Sequence, residues 1–208
     1  MVTSFLPLIG IAVFAAIVFC WRPWLQFRRY GSSGILLFRS GNRRQDLRDS
    51  LAVLLFVLLL GQAIVAAARP QSLSPLTVDH PGLWQVSGAA LLLGGLVLLV
   101  TAQLHLAASW RVGIEEGARS GLITGGLYRF CRNPIYLGIL VILTGYTLLL
   151  PTRLSLALLL GAYVGMRQQI SAEEAYLLRA YGEAFRDYAR RVGRFLPRIG
   201  RASCRERV

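Results

Sequence analysis

Long apolar runs separated by polar stretches organise the chain, and they have the length a helix needs to cross a bilayer. The first extends from about Phe5 to Trp24, the second from about Leu51 to Ala68, and the third from about Leu83 to Ala107. Two shorter runs, Pro134 to Leu150 and Leu154 to Ile170, flank Pro151-Thr152-Arg153 and predict a helical hairpin. Each has about 17 residues, the short end of the spanning range, with a re-entrant pair as the alternative. Beyond Ser171 the pattern changes. Leu177, Leu178, Tyr181, Phe185, Tyr188 and Val192 recur at helical spacing, with Arg179, Glu183, Arg186 and Arg190 on the other side. Gly182 should bend or break this segment. Ser171 with Glu174 has the form of a capping box, and Asp49-Ser50 that of a cap for the second span. Arg69-Pro70 should end that span. In the third, Gly88, Gly94 and Gly95 permit close helix approach.

The predicted fold class is an all-α integral membrane protein with about five transmembrane helices and a cytoplasmic C-terminal helical segment. Residues 1–208 form a single membrane domain: three spans in 1–108, the hairpin and C-terminal helices in 109–197, and a basic tail in 198–208.

Composition supports this reading. Hydrophobic residues make up 55% and charged residues 16%, against about 45–50% and about 25% in soluble domains. The net charge is +13 and all 23 basic residues are Arg. They sit between apolar runs, which points to headgroup contact and topology rather than nucleic acid. The stretch from Arg22 to Ser50 carries Arg22, Arg28, Arg29, Arg39, Arg43, Arg44 and Arg48 against only Asp46 and Asp49. It should be cytoplasmic, which puts the N-terminus outside, in a bacterial inner membrane. Ile35 to Phe38 should dip into the interface. The first run lacks a basic start and an A-x-A site, so it reads as a retained helix rather than a signal peptide. The Pro-rich stretch Pro70 to Leu83, with Pro75, Asp79 and His80, suits the outside, and Ser109 to Asn133, with Trp110, Glu115 and Glu116, the cytoplasm. Cys20, Cys131 and Cys204 form no CxxC and there are only two His, so no metal site is expected. Cys131 reads as a packed thiol.

The non-Arg polar chemistry is gathered in two places on either side of the hairpin. The first is Gly126-Leu127-Tyr128-Arg129-Phe130-Cys131-Arg132-Asn133-Pro134-Ile135-Tyr136-Leu137-Gly138. Asn133 is a preferred N-cap and Pro134 suits the first helical position, so a helix should start here. Its N–H groups and positive dipole end suit a carboxylate or phosphate, with Arg129 and Arg132 adding charge. The second place is Glu173-Glu174, read as the start of the following helix. One carboxylate complements that helix dipole and the other is left for a ligand hydroxyl or amine. Tyr128, Tyr136, Tyr181 and Tyr188 offer aromatic faces to a purine or a sulfonium. His105 and Gln103 lie near the inner end of the third span.

The first stretch resembles the G-x-Y-x-x-x-R-[HN]-P-x-Y-x-G signature of isoprenylcysteine carboxyl methyltransferases, a family similar to the phospholipid N-methyltransferases. Glu173 to Val192 is similar to that family's E-E-x-x-L…[FY]-G-x-x-[FY]-x-x-Y-x-x-R-V block, followed by Arg194-Phe195-Leu196-Pro197. The resemblance implies S-adenosylmethionine as cofactor, bound by Leu122, Ile123, Gly126, Tyr128, Asn133, Pro134, Ile135, Tyr136, Glu173 and Glu174. It implies catalytic roles for Arg132, Asn133 and Glu173, and substrate contacts for Arg167, Gln169 and His105. Asn133 stands where eukaryotic members have His, and Gln169 near where relatives place an Arg that meets the substrate carboxylate. The implied activity is carboxyl O-methylation of a prenylated or other lipid-linked acceptor at the cytoplasmic face, among membrane lipids. The alternatives are N-methylation of a phospholipid amine, and a non-enzymatic protein that retains the fold. Gly138, Gly145 and Gly161 would either open a lateral groove for the acceptor chain or let helices pack closely.

Overall fold

The computed structural model describes residues 5–35, 37–38, 42–73, 76–77, 79–107 and 121–196. Expectations placed on Leu36, Pro75, residues 109–120 and the basic tail lie outside the described residues. The described residues form the helices α1 (Leu6–Ala15), α2 (Arg22–Tyr30), α3 (Arg43–Ala68), α4 (Pro81–His105), α5 (Pro134–Leu149), α6 (Arg153–Tyr181) and α7 (Glu183–Arg191), with connections between them. A π-helical segment, Ala16–Trp21, makes α1 and α2 one continuous rod. Among the described residues, three helices are long and apolar enough to cross a membrane: Leu6–Tyr30, Arg43–Ala68 and Pro81–His105. Pro134–Leu149 is apolar but shorter.

Glycine sets the tightest contact, between antiparallel α4 and α5. A Cβ on Gly145 would come within 2.6 Å of the Gly88 carbonyl and the Leu92 nitrogen, and one on Gly95 within 2.8 Å of the Ile142 nitrogen. Only a missing side chain lets the two backbones lie this close. Gly138 packs in the same way against Leu99, so Gly138 and Gly145 serve helix packing rather than a groove. Gly94 and Gly161 meet nothing within 4 Å and take no part in it. Leu92, Leu96, Leu99 and Ile142 fill the seam, while Ile11, Leu59, Ala63, Leu143, Tyr146, Leu158, Ala162 and Met166 form the core across α1, α3, α5 and α6.

The buried polar side chains at the far end of the bundle satisfy one another. Thr152 caps α6, its Oγ1 accepting from the Ser155 N–H at 3.0 Å. Gln62 of α3 donates to Thr152 Oγ1 at 2.6 Å and to Ser155 Oγ at 3.0 Å, and the Tyr146 hydroxyl donates to the Leu59 carbonyl at 2.9 Å. Together they tie the α5–α6 turn to α3 without leaving a buried donor open.

Three expectations about boundaries are corrected. α3 starts at Arg43, not Leu51. Its cap is Asn42, whose Oδ1 accepts from the Arg44 N–H at 2.9 Å. Asp49 is inside the helix, and its carboxylate accepts from the Phe38 N–H and from Gln45. Arg22 does not belong to an exposed connection. It is 1% exposed and donates to the Gln103 and Ala107 carbonyls at 3.2 and 2.9 Å. A cation there complements the negative end of α4. Finally, Ser171 with Glu174 caps nothing, because α6 runs unbroken from Arg153 to Tyr181. Nothing between Ile170 and Tyr181 breaks a helix, and the Ser171 hydroxyl donates back to the Arg167 carbonyl. The break falls at Gly182, at φ +53°, as expected from the sequence.

Candidate active site

The helix directions put the start of α3, the end of α4, the start of α5 and the end of α6 at one end of the bundle. There the two halves of the signature meet, each brought by a different element.

Residues 126–129 form a single 3-10 turn that leads into α5. Gly126 has φ +58°, and a Cβ there would lie 2.8 Å from the His105 ring. His105 Nδ1 accepts from the Leu127 N–H at 3.2 Å. His105 therefore braces the turn from beneath, which explains a lone interfacial histidine without a ligand.

Asn133 takes the N-cap position of α5 with Pro134 at the first helical position, but its side chain does not cap. Its Nδ2 donates instead to the Arg194 carbonyl at 3.3 Å. The backbone N–H groups of Arg132 and Asn133 donate to the Gly193 and Arg194 carbonyls at 2.9 and 3.1 Å. The Cys131 thiol donates to the same Arg194 carbonyl at 3.2 Å. Residues 193–194 thus run beside 131–133 as a short parallel bridge. Burial pushes the Cys131 thiol up, and its hydrogen bond with the Asn133 backbone and the Arg132 charge oppose this only in part. The thiolate is disfavoured, as in a packed cysteine.

Glu174 joins three segments. Arg132 reaches its Oε1 through Nε and NH2 at 3.1 and 2.8 Å, and Arg194 reaches its Oε2 at 2.9 and 2.7 Å. Arg132 NH1 continues to the Ala189 and Val192 carbonyls at the end of α7. Charge-assisted bonds of this kind are the strong ones. Both Glu174 oxygens are engaged by guanidinium groups, so its geometry is that of a clamp.

Glu173 faces the other way. Its Oε1 accepts from the Tyr136 hydroxyl at 2.5 Å and from Gln169 Nε2 at 3.1 Å. Tyr128 is buried nearby, and burial, with the Glu173 charge adding to it, pushes its phenol well above the usual range. The Tyr128 carbonyl accepts from the Tyr188 hydroxyl at 2.6 Å. Behind it, Phe185, Tyr188 and Val192 pack with Leu122, Leu177 and Tyr181.

Tyr128, Asn133, Pro134, Ile135, Tyr136, Glu173 and Glu174 are therefore brought together, with Arg132 at their centre. Leu122 belongs to the α7 cluster, and Ile123 is half-buried beside it in sequence. Arg167 is not brought in: it is exposed, with its guanidinium over the Tyr163 ring. Gln169 is part of the site. Its Oε1 accepts from Arg48 Nε at 3.0 Å and from Gln45 Nε2 at 3.2 Å. Arg48, Gln45 and Arg194 are the residues that sequence reasoning missed. The spacing of Gln45, Arg48 and Asp49 puts them on one helical face, a signal that is visible once Asn42 is taken as the cap.

Fold and site define an integral membrane protein whose polar chemistry is collected at one end of an apolar bundle. The phospholipid methyltransferase family model matches residues 83–184. The chain is 33% identical over 79 residues to a protein-S-isoprenylcysteine O-methyltransferase of Schizosaccharomyces pombe, covering 38% of this chain and 34% of that one. It is 29% identical over 131 residues to the enzyme of the same name from Tribolium castaneum, covering 59% and 47%. The solved structure of a eukaryotic intramembrane isoprenylcysteine carboxyl methyltransferase has the same fold, with a TM-score of 0.60 at 22% identity. That match covers 91% of this chain and 64% of the other. The chain spans about a third to a half of the length of the curated relatives it matches. The chain is thus similar over 83–184 to phospholipid methyltransferases and in parts to isoprenylcysteine carboxyl methyltransferases, and it shares the fold of the latter.

Proposed function

We propose that this protein is an S-adenosylmethionine-dependent methyltransferase that esterifies the carboxylate of an isoprenylcysteine-like or other lipid-linked acceptor at the cytoplasmic face of its membrane. The observation that carries this reading is the meeting of Tyr136 with Glu173, 2.5 Å apart, at the end of the bundle where the signature halves converge.

The residues present suit the cofactor. No side chain caps α5, so the N–H groups of Ile135 and Tyr136 have no acceptor within the helix and suit a carboxylate. Glu173 suits an amine or a ribose hydroxyl, and Tyr128 offers a ring beside it. Bound there, the cofactor would supply an activated methyl group. The acceptor carboxylate would take that methyl, the C–O bond forming as the methyl–sulfur bond breaks and the electron pair staying on sulfur. No proton moves, so the protein's task is positioning, where effective molarity supplies about 7–11 kcal/mol.

The topology we favour has five crossings, the N-terminus outside and the C-terminus cytoplasmic. Arg28, Arg29, Arg43, Arg44, Arg48 and Arg132 lie at the site end of the helices, against Arg69 and Arg153 at the other, which follows the positive-inside rule. A reporter fused after Val208 should read as cytoplasmic, and an outside readout would refute this orientation.

A phospholipid amine is the second reading, favoured by the phospholipid methyltransferase match over 83–184. An amine acceptor must first lose a proton, and Tyr128, with its phenol pushed up, is a poor base. The test is titration of S-adenosylhomocysteine into the purified protein, then turnover of an N-acetylated S-prenylcysteine beside phosphatidylethanolamine. Binding with turnover of the prenylcysteine alone supports the proposal. Absence of binding by folded protein refutes it.

A further inference from the structure

Arg48 lies in the second turn of α3 and reaches across to α6. Its Nε donates to Gln169 Oε1 at 3.0 Å and its NH2 to Gln45 Oε1 at 2.5 Å. Both partners are neutral amides, and no described carboxylate forms an ion pair with it. Asp49 is turned toward the Phe38 N–H and Gln45, and Glu173 accepts from Tyr136 and Gln169. The two amide oxygens fix the direction of the guanidinium but leave its charge unneutralised. Arg132, by contrast, is neutralised by Glu174. NH1 makes no hydrogen bond among the described residues, and the side chain is only half-buried. An oriented guanidinium with an open edge and no counter-ion is a receptor for a planar anion. Gln169 links it directly to Glu173 and thence to Tyr136.

We propose that Arg48 is the residue that holds the acceptor's carboxylate. The assignment rests on the methyltransferase reading above and adds the group that orients the methyl acceptor. Because Arg48 and Gln169 touch, a guanidinium placed at 169 would put the same charge in nearly the same place.

The experiment uses the full chain in nanodiscs, with an N-acetylated S-prenylcysteine as acceptor. R48A should raise the KM for this acceptor at least tenfold and leave kcat and S-adenosylhomocysteine affinity near wild type. R48K should recover part of the loss, and R48A combined with Q169R most of it. A wild-type KM in an R48A protein that binds S-adenosylhomocysteine normally would overturn the assignment while leaving the proposed function standing. An equal fall in S-adenosylhomocysteine affinity, unrescued by Q169R, would also overturn it, as would an R48A effect confined to phosphatidylethanolamine turnover. A folded wild type that binds no S-adenosylhomocysteine overturns the proposed function and this assignment with it.

Discussion

The Tyr188 hydroxyl donates to the backbone carbonyl of Tyr128 at 2.6 Å, locking α7 onto the turn that begins the signature. Tyr188 is 4% exposed, and burial pushes its phenol from 10.0 up to about 12. Tyr188→Phe leaves a buried carbonyl without its donor, a loss of about 1–3 kcal/mol. The raised pKa also gives a pH signature. Its contribution to stability is fully present below about pH 10 and is lost as pH rises through about 12. Thermal unfolding should therefore show a gap between wild type and Tyr188→Phe that narrows between about pH 10 and 12. A constant gap would contradict this.

Adjacent glutamates should fail differently. Glu174→Ala leaves Arg132 and Arg194 without their shared carboxylate. Because Arg194 is 41% exposed, screening limits the cost to on the order of 2 kcal/mol. Proteolysis after residue 182 should accelerate. Glu173→Gln should keep wild-type protection and lose at least tenfold in S-adenosylhomocysteine affinity, as measured by calorimetry. Identical behaviour of the two variants would remove the division of labour drawn here.

Glycine substitutions separate packing from permissive surface. Gly145→Ala drives a methyl into the Gly88 carbonyl and should cost about 1–3 kcal/mol or more, since backbone, not a movable side chain, lies in the way. Gly161→Ala meets nothing within 4 Å and should be neutral or slightly stabilising, by up to about 1 kcal/mol of helix propensity. Unfolding in a denaturing detergent series measures both. Equal sensitivity would mean that α4 and α5 do not pack as described.

Apolar periodicity made the long helices legible, because each run had to be long enough to bury its own backbone hydrogen bonds in lipid. Tyr128, Arg132, Tyr136 and the Glu pair were legible as a motif. What periodicity could not convey was where polar side chains end a helix and where they line its face. Gln45, Arg48 and Asp49 interrupt the apolar pattern yet stay helical, so α3 began eight residues earlier than expected. Ser171 and Glu174 imitate a cap inside a continuous helix. Arg22 was counted with the exposed arginines because its acceptors, the Gln103 and Ala107 carbonyls, are backbone atoms more than eighty positions away. Such partners have no side-chain signature. The same holds for Arg194, whose pairing with Glu174 depends on the bridge that lays 193–194 beside 131–133.

The unbroken course of α6 makes it a lever arm. From its cap at Thr152 to Glu174 is about 33 Å at about 1.5 Å per residue, and the fulcrum is tied to α3 through Gln62. By this length, a tilt of about 3° at the Thr152 end carries Glu173 and Glu174 by about 1.7 Å, comparable to the displacement that spoils a reacting geometry. Mismatch with bilayer thickness is one of the terms that tilt a spanning helix, so on the proposed five-crossing topology thickness would become a variable of the proposed chemistry, acting with no ligand and no second site. Turnover measured across phosphatidylcholine bilayers of increasing acyl length should pass through a maximum, and a flat profile would mean that the lever does not move.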